Sequence, residues 1–261
     1  MLRHLLPPFA AAGLAFATFA LAQPAPVNGY LTPDTTPQTL RILPPPPAAG
    51  SGRAADDKAV FDRTRALAGG ERWALATTDA DLGPRAGMFA CALGVTLDGT
   101  NAPRLDAMLH HMAPDARAVV DPPKDSFNRP RPYVAAGGGP AICVPKTDSL
   151  AKSASYPSGH STVAWAWGLI LAEIAPDRAT DILMRAREIG DSRIICGVHY
   201  LSDVEEGRTN GSILVVALHG SPEFKADLEK ARAEVAAARA SPHASPSGCA
   251  AIEAAEAHPP Y

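Results

Sequence analysis

The sequence predicts an all-α protein, a compact helical bundle, and three observations carry that prediction. Apolar residues recur at helical intervals through most of the chain, while no stretch alternates with the period of a strand and no internal repeat appears. Proline and glycine break the apolar stretches at helix-boundary positions, as at Gly69-Gly70 and Pro176. The 261 residues are 46% hydrophobic with a formal net charge of −3, the balance of an ordinary globular chain.

In chain order, residues 1–22 have the pattern of a secretory signal. Arg3 and His4 make a short basic start, Phe9 to Leu21 carries no formal charge, and Ala20-Leu21-Ala22 precedes Gln23 as an Ala-x-Ala cleavage site. The apolar run is shorter than a bilayer span, and no later segment is long and apolar enough for one, so no stable membrane insertion is expected. Residues 23–52 are rich in proline, including Pro44 to Pro47, and form either an arm laid over the body or a mobile leader.

The helical domain is expected over residues 53–240. Asp56 to Ala68 and Glu71 to Thr78 are two short helices parted by Gly69-Gly70. Gly87 to Leu97 is apolar and small, suited to a buried helix, and Ala102 to Val120 is another with an interruption at Pro114. A break is expected at Asp121-Pro122-Pro123, and Tyr133 to Ser155, with Gly137-Gly138-Gly139-Pro140, is a loop. Helices follow over Thr162 to Ala175, Pro176 to Gly190, Asp203 to His219 and Pro222 to Ala240. Residues 241–261, rich in Ala, Pro and Ser, form a flexible tail unless Cys249 ties them down.

Charge and cysteine usage narrow the function. A pI near 6.2, with basic residues scattered, excludes a nucleic-acid partner held by bulk charge. Any anion site must use a few placed cations. Cys91, Cys143, Cys196 and Cys249 contain no C-x-x-C pair, which argues against structural zinc. An exported chain favours disulfides, and four cysteines allow three connectivities. Cys196 is then either a brace or a small buried apolar residue.

Three segments carry chemistry. Lys124 and, seven residues on, Arg131-Pro132 present two cations near a helix end, a pairing suited to phosphate; Arg129-Pro130 offers a second register. Ser158-Gly159-His160 stands ahead of a helix, where free amides receive an anion and His160 has a proton to give. Ser192 to Asp203 holds Arg193, His199 and Asp203. If a helix begins near Tyr200, Asp203 returns beneath the His199 ring and orients it for attack. Thirty-one residues separate His160 from Ser192, enough for two antiparallel helices of roughly 20 Å each that bring the segments together.

The pattern Lys124-x6-Arg131-Pro132, Pro157-Ser158-Gly159-His160, Ser192-Arg193-x5-His199-x3-Asp203 resembles the three-part signature of the bacterial class A non-specific acid phosphatases. These belong to the type 2 phosphatidic acid phosphatase and vanadium haloperoxidase superfamily. The similarity runs from about Tyr30 to Val235 and selects the Arg131 register. It implies a periplasmic or secreted phosphomonoesterase that needs no metal or other cofactor and is inhibited by phosphate or vanadate. It also implies that Lys124, Arg131, Arg193, Ser158 and Gly159 bind phosphate. His199 then forms a phosphohistidine, Asp203 orients it, and His160 protonates the leaving alcohol.

Wide tolerance for phosphomonoesters, phosphate transfer to other alcohols and a homodimer are compatible with the resemblance. A vanadium-dependent haloperoxidase, a lipid phosphatase and a non-catalytic periplasmic phosphate-binding protein are the competing readings. Tyr133 and Tyr156 flank the signature on the leaving-group side, whereas His110-His111 and His219 are expected on helix surfaces or in packing, and Trp165 and Trp167 in the core or an interface.

Overall fold

The computed structural model describes residues 28–242 and 245–261, and the expected signal segment lies outside them. The described residues form helices, turns and irregular segments without a strand, and none of these helices is long and apolar enough to cross a membrane. In order they are α1 (Thr39–Ile42), α2 (Gly52–Thr64), α3 (Glu71–Thr78), α4 (Ala90–Leu93), α5 (Pro103–His111), α6 (Ala113–Phe127), α7 (Pro132–Ala135), α8 (Asp148–Lys152), α9 (Gly159–Ile174), α10 (Ala179–Ile195), α11 (Leu201–Leu218), α12 (Pro222–Ala240) and α13 (Cys249–Ala257).

Helix α9 is the centre of the molecule because it is apolar on nearly every face. Ala164, Ala166, Ile170 and Leu171 are fully buried, and α6, α10 and α11 pack around it. Its N-cap is Ser158, whose hydroxyl accepts the Ser161 amide at 3.3 Å. The approach of α11 is unusually close. A Cβ on Gly207 would lie 2.7 Å from the Ser158 carbonyl oxygen, and one on Gly211 2.6 Å from that of Thr162. These two glycines let the start of α9 meet the first turn of α11, where the Ser158 amide donates to the Asp203 carbonyl at 2.9 Å.

Several boundaries differ from the sequence expectation. Helix α6 does not break at Asp121-Pro122-Pro123 but runs through both prolines to Phe127. Pro123 has no N–H for the Val119 carbonyl, a loss that ordinarily ends a helix. Here the Thr39 hydroxyl at 2.6 Å and the Asn210 side-chain amide at 3.0 Å take that carbonyl instead. Lys124 therefore sits on the last turn of a helix. Gly87 to Leu97 forms a 3₁₀ turn over Arg85–Phe89 followed by the short α4, in place of one helix.

Helix α10 passes Gly190 and ends at Ile195. Gly190 is a contact residue and no terminator, since a Cβ there would meet the Ser161 hydroxyl at 3.3 Å. The true stop is Gly197, with φ +80°. Val198 N donates to the Arg193 carbonyl at 3.3 Å and Gly197 N to that of Ile194 at 2.9 Å, the paired bonds of a glycine-terminated helix. Arg193 thus belongs to the final turn of α10.

The arm lies over the body along its described part. Asp115 accepts the amides of Tyr30 and Leu31 at 2.8 and 3.1 Å, and the Pro44 carbonyl accepts the Tyr156 hydroxyl at 2.6 Å. Residues 245–261 are tied to the body and do not form a flexible tail. Cys249 is bonded to Cys91, α13 packs on α3 and α10, and the Tyr261 hydroxyl donates to Asp191 at 2.9 Å. The other disulfide, Cys143–Cys196, pins the loop before α8 to the end of α10.

Candidate active site

One cavity of about 440 Å³ has Lys124, Arg131, Gly159, His160 and His199 in its wall. They come from four places in the chain. Lys124 ends α6, Arg131 precedes α7, Gly159 and His160 open α9, and His199 stands in the turn between α10 and α11. Arg193, Asp203 and Ser158 are buried behind that wall.

His199 is held at both ring nitrogens. Nδ1 lies 3.4 Å from Asp203 Oδ2, the i,i+4 relation across the start of α11, and the same oxygen accepts the Tyr200 amide at 2.8 Å. Nε2 lies 3.2 Å from Arg131 Nη1. An arginine only donates, so Nε2 carries the lone pair and Nδ1 the proton facing the carboxylate. The nitrogen with the free lone pair therefore points to the cationic side of the site. Burial opposes a charge on this ring, and Arg131, Lys124 and Arg193 add to that, holding its pKa well below the ordinary value.

The cations are placed by carbonyl oxygens. Arg131 donates through Nε to Leu150 and Ser153 carbonyls, both at 3.0 Å, through Nη1 to Val198 O at 2.9 Å, and through Nη2 to the Ser153 hydroxyl at 2.7 Å. Lys124 Nζ donates to the Ala154 carbonyl. Burial, with Arg131 next, brings the Lys124 pKa down to about 8. Arg193 has buried Nε and Nη1 atoms with no hydrogen-bond partner among the described residues. Burial and then Arg131 lower it to about 10, so it remains charged at neutral and acidic pH.

His160 donates from Nε2 to the Ala80 carbonyl at 3.0 Å. Burial and then Arg193 bring its pKa down to about 3. The first α9 amides, at Gly159 and His160, have no intrahelical acceptors. Ser158 accepts from both the amide and the hydroxyl of Ser161, which leaves its own proton to donate.

These shifts have a sign that binding reverses. An anion offsets the field of the three cations, raises the pKa of His160 and His199, and so draws in a proton. Sulfate, which keeps two charges across the range, is expected to bind more tightly as pH falls from about 7 to about 4, taking up a proton on the way. It should bind more weakly above about 8, where Lys124 loses its charge. Calorimetry in buffers of different ionisation enthalpy measures this uptake, and a pH-independent affinity below neutrality would contradict it.

Asp203 is held by Arg129, itself paired with Asp57, and nothing in the sequence assigns either residue to it. Arg129 donates to Asp203 Oδ1 at 2.6 Å, to the Ser202 hydroxyl at 2.8 Å and to Asp57 Oδ2 at 2.7 Å, with its guanidinium 4.1 Å from the Tyr200 ring centre. Asp57 also accepts the Ser202 amide at 2.8 Å. Burial raises the Asp203 carboxyl from its ordinary value against the pull of Arg129. Arg129 therefore serves the carboxylate and is absent from the cavity wall, where Arg131 stands.

Arg65 has a supporting role at the end of α10 that its own helix does not reveal. It donates to the Ala141 carbonyl at 2.7 Å and the Ile194 carbonyl at 2.9 Å, capping the end of α10. Tyr133 and Tyr156 are buried away from the cavity, whose outer wall is instead built by Leu82, Met112, Val163 and Trp167, with His110 and Arg85 beside them. Only the Arg129-Pro130 repeat ahead of Arg131 hinted at any of this.

Residues 109–225 match the model of the PAP2 superfamily. The chain is 42% identical over 207 residues to an acid phosphatase of Zymomonas mobilis, covering 78% of each chain. It is 40% identical to a non-specific acid phosphatase of Providencia stuartii, over 79% of this chain and 84% of that one. A non-specific acid phosphatase of Salmonella typhimurium is 31% identical, over 80% of this chain and 84% of its own.

Proposed function

This chain belongs to the non-specific acid phosphatases of the PAP2 superfamily, and from that membership we propose that it hydrolyses a broad range of phosphomonoesters through a phosphohistidine. The observation that carries the mechanism is the meeting of His199, His160, Lys124 and Arg131 on one cavity, with the unpartnered Arg193 behind them.

Lys124, Arg131 and Arg193 take the phosphoryl oxygens, joined by the Ser158 hydroxyl and the Gly159 amide. Fixed donors of this kind stabilise the charge that spreads over the equatorial oxygens in transfer. His199 Nε2 forms a bond to phosphorus as the ester P–O bond breaks, and the leaving oxygen takes its proton from His160. Asp203 steadies the Nδ1 proton as positive charge develops on the ring. His160, now neutral, accepts a proton from water as the water oxygen attacks phosphorus, and phosphate departs with His199 restored. A second alcohol in place of water gives phosphate transfer, and inorganic phosphate or vanadate competes for the same cradle.

Two disulfides suit an oxidising compartment, which supports a periplasmic or secreted enzyme. The direct test is trapping. Brief reaction with labelled substrate, an alkaline quench and peptide mapping should place an acid-labile phosphate on His199. Label on another side chain, or none under conditions of burst release, would overturn the mechanism.

A further inference from the structure

A second group of buried charges lies between α3 and α10 and has no part in the mechanism above. Asp79, fully buried, pairs through its carboxylate with Arg185 and accepts the Ser192 hydroxyl at 2.6 Å. Glu188 pairs with Arg185 and, at 2.8 Å, with Arg72, whose Nη1 donates to Ser192 Oγ at 3.0 Å. Two acids face two bases, and burial, followed by the Asp79 charge, pushes the Glu188 carboxyl up to about 7, so the balance holds only where Glu188 is ionised. The cluster's position makes it more than an internal ion network. Asp79 is one peptide from Ala80, whose carbonyl receives His160 Nε2 at 3.0 Å, and Ser192 is one peptide from Arg193.

We propose that Asp79, clamped by Arg185 and Ser192, is a positioning residue for proton transfer: it sets the Ala80 carbonyl that keeps the His160 proton on Nε2 and leaves Nδ1 to exchange with the leaving oxygen. The chain of contacts supports each step. A backbone carbonyl is an obligate acceptor, so the nitrogen facing it must be protonated and the other becomes the exchanging atom. Ala80 follows the end of α3, and the peptide that carries its carbonyl is tied back to that helix by the Asp81 amide, which donates to the Thr78 carbonyl at 3.2 Å. Asp79 holds it to α10, the helix that also carries Arg193, so proton donor and phosphate-binding cation share one reference frame. The inference rests on the reading of His160 as the proton donor.

The test compares leaving groups. A 4-nitrophenolate departs without a proton, whereas an alkoxide requires one, so loss of proton donation affects kcat/KM for a simple alkyl phosphate far more than for 4-nitrophenyl phosphate. Asp79→Asn is expected to lower kcat/KM for the alkyl ester about tenfold more than for the aryl ester, and Ser192→Ala to do the same to a smaller degree. Equal losses on both substrates, or none, in the folded Ser192→Ala enzyme would overturn the proposal even if Asp79→Asn fails to fold. On the native enzyme, ¹⁵N spectra of His160 should show the Nε2–H form; the Nδ1–H form would also overturn it. His160→Ala run in parallel separates the two levels. If that variant lacks the leaving-group preference, the proton-donor reading itself fails; if it shows the preference and the Asp79 and Ser192 variants do not, only the positioning role fails.

Discussion

His199→Ala should lower kcat for 4-nitrophenyl phosphate by about 10⁴-fold or more while leaving a folded protein that still binds sulfate. The expectation follows from what the ring alone supplies. On this ring Nε2 carries the lone pair that faces the cations, and burial, with Arg131 at 3.2 Å next, keeps it from taking a proton there. Ala removes that lone pair, but Lys124, Arg131 and Arg193 are held by other contacts or by burial, so the anion cradle persists. Water attacking phosphorus directly would have to replace a positioned nucleophile, and the remaining donors supply charge stabilisation without a covalent path. Single-turnover kinetics and sulfate titration measure the two halves separately. Turnover within tenfold of the native enzyme would remove His199 from the reaction.

The legible part of the site was the part written as spacing. His199 and Asp203 are four residues apart and meet across one turn of α11; Ser158 caps a helix whose apolar run is plain in the sequence. The return of α10 antiparallel to α9 follows from two helix lengths. What stayed hidden depends on partners distant in the chain. Nothing near Pro123 says that Thr39 and Asn210 will accept responsibility for the Val119 carbonyl, so a double proline looked like a stop. Gly190 has the composition of a helix end but serves a close contact with Ser161, while Gly197 ends the helix through its positive φ. Arg129 and Asp57 are 72 residues apart and only the assembled fold makes them a pair. Sequence periodicity reports a residue's own helix, and these residues act through another one.

Arg193 provides the sharper test because catalysis and stability should move in opposite directions. Its guanidinium is buried with Nε and Nη1 unpartnered, and the nearest compensation is the field of Asp79, while Arg131 repels it. Such a group costs stability, since desolvation of a charge is not offset by hydrogen bonds. On the proposed mechanism that cost is offset when an anionic substrate binds. Arg193→Met keeps the volume and removes the charge, so kcat/KM should fall by about 10³-fold with Tm unchanged or raised. Arg129→Met should do the opposite in kind. That guanidinium is paired with two carboxylates through Nη1 and Nη2, and removing it strands the buried carboxylates of Asp57 and Asp203, an effect on the order of 3–5 kcal/mol in stability. Thermal unfolding of the two variants beside the native chain reads the contrast directly. A large loss of stability in Arg193→Met would mean that its guanidinium already has a structural partner, and the reading of Arg193 as a cation held in wait for phosphate would fall with it.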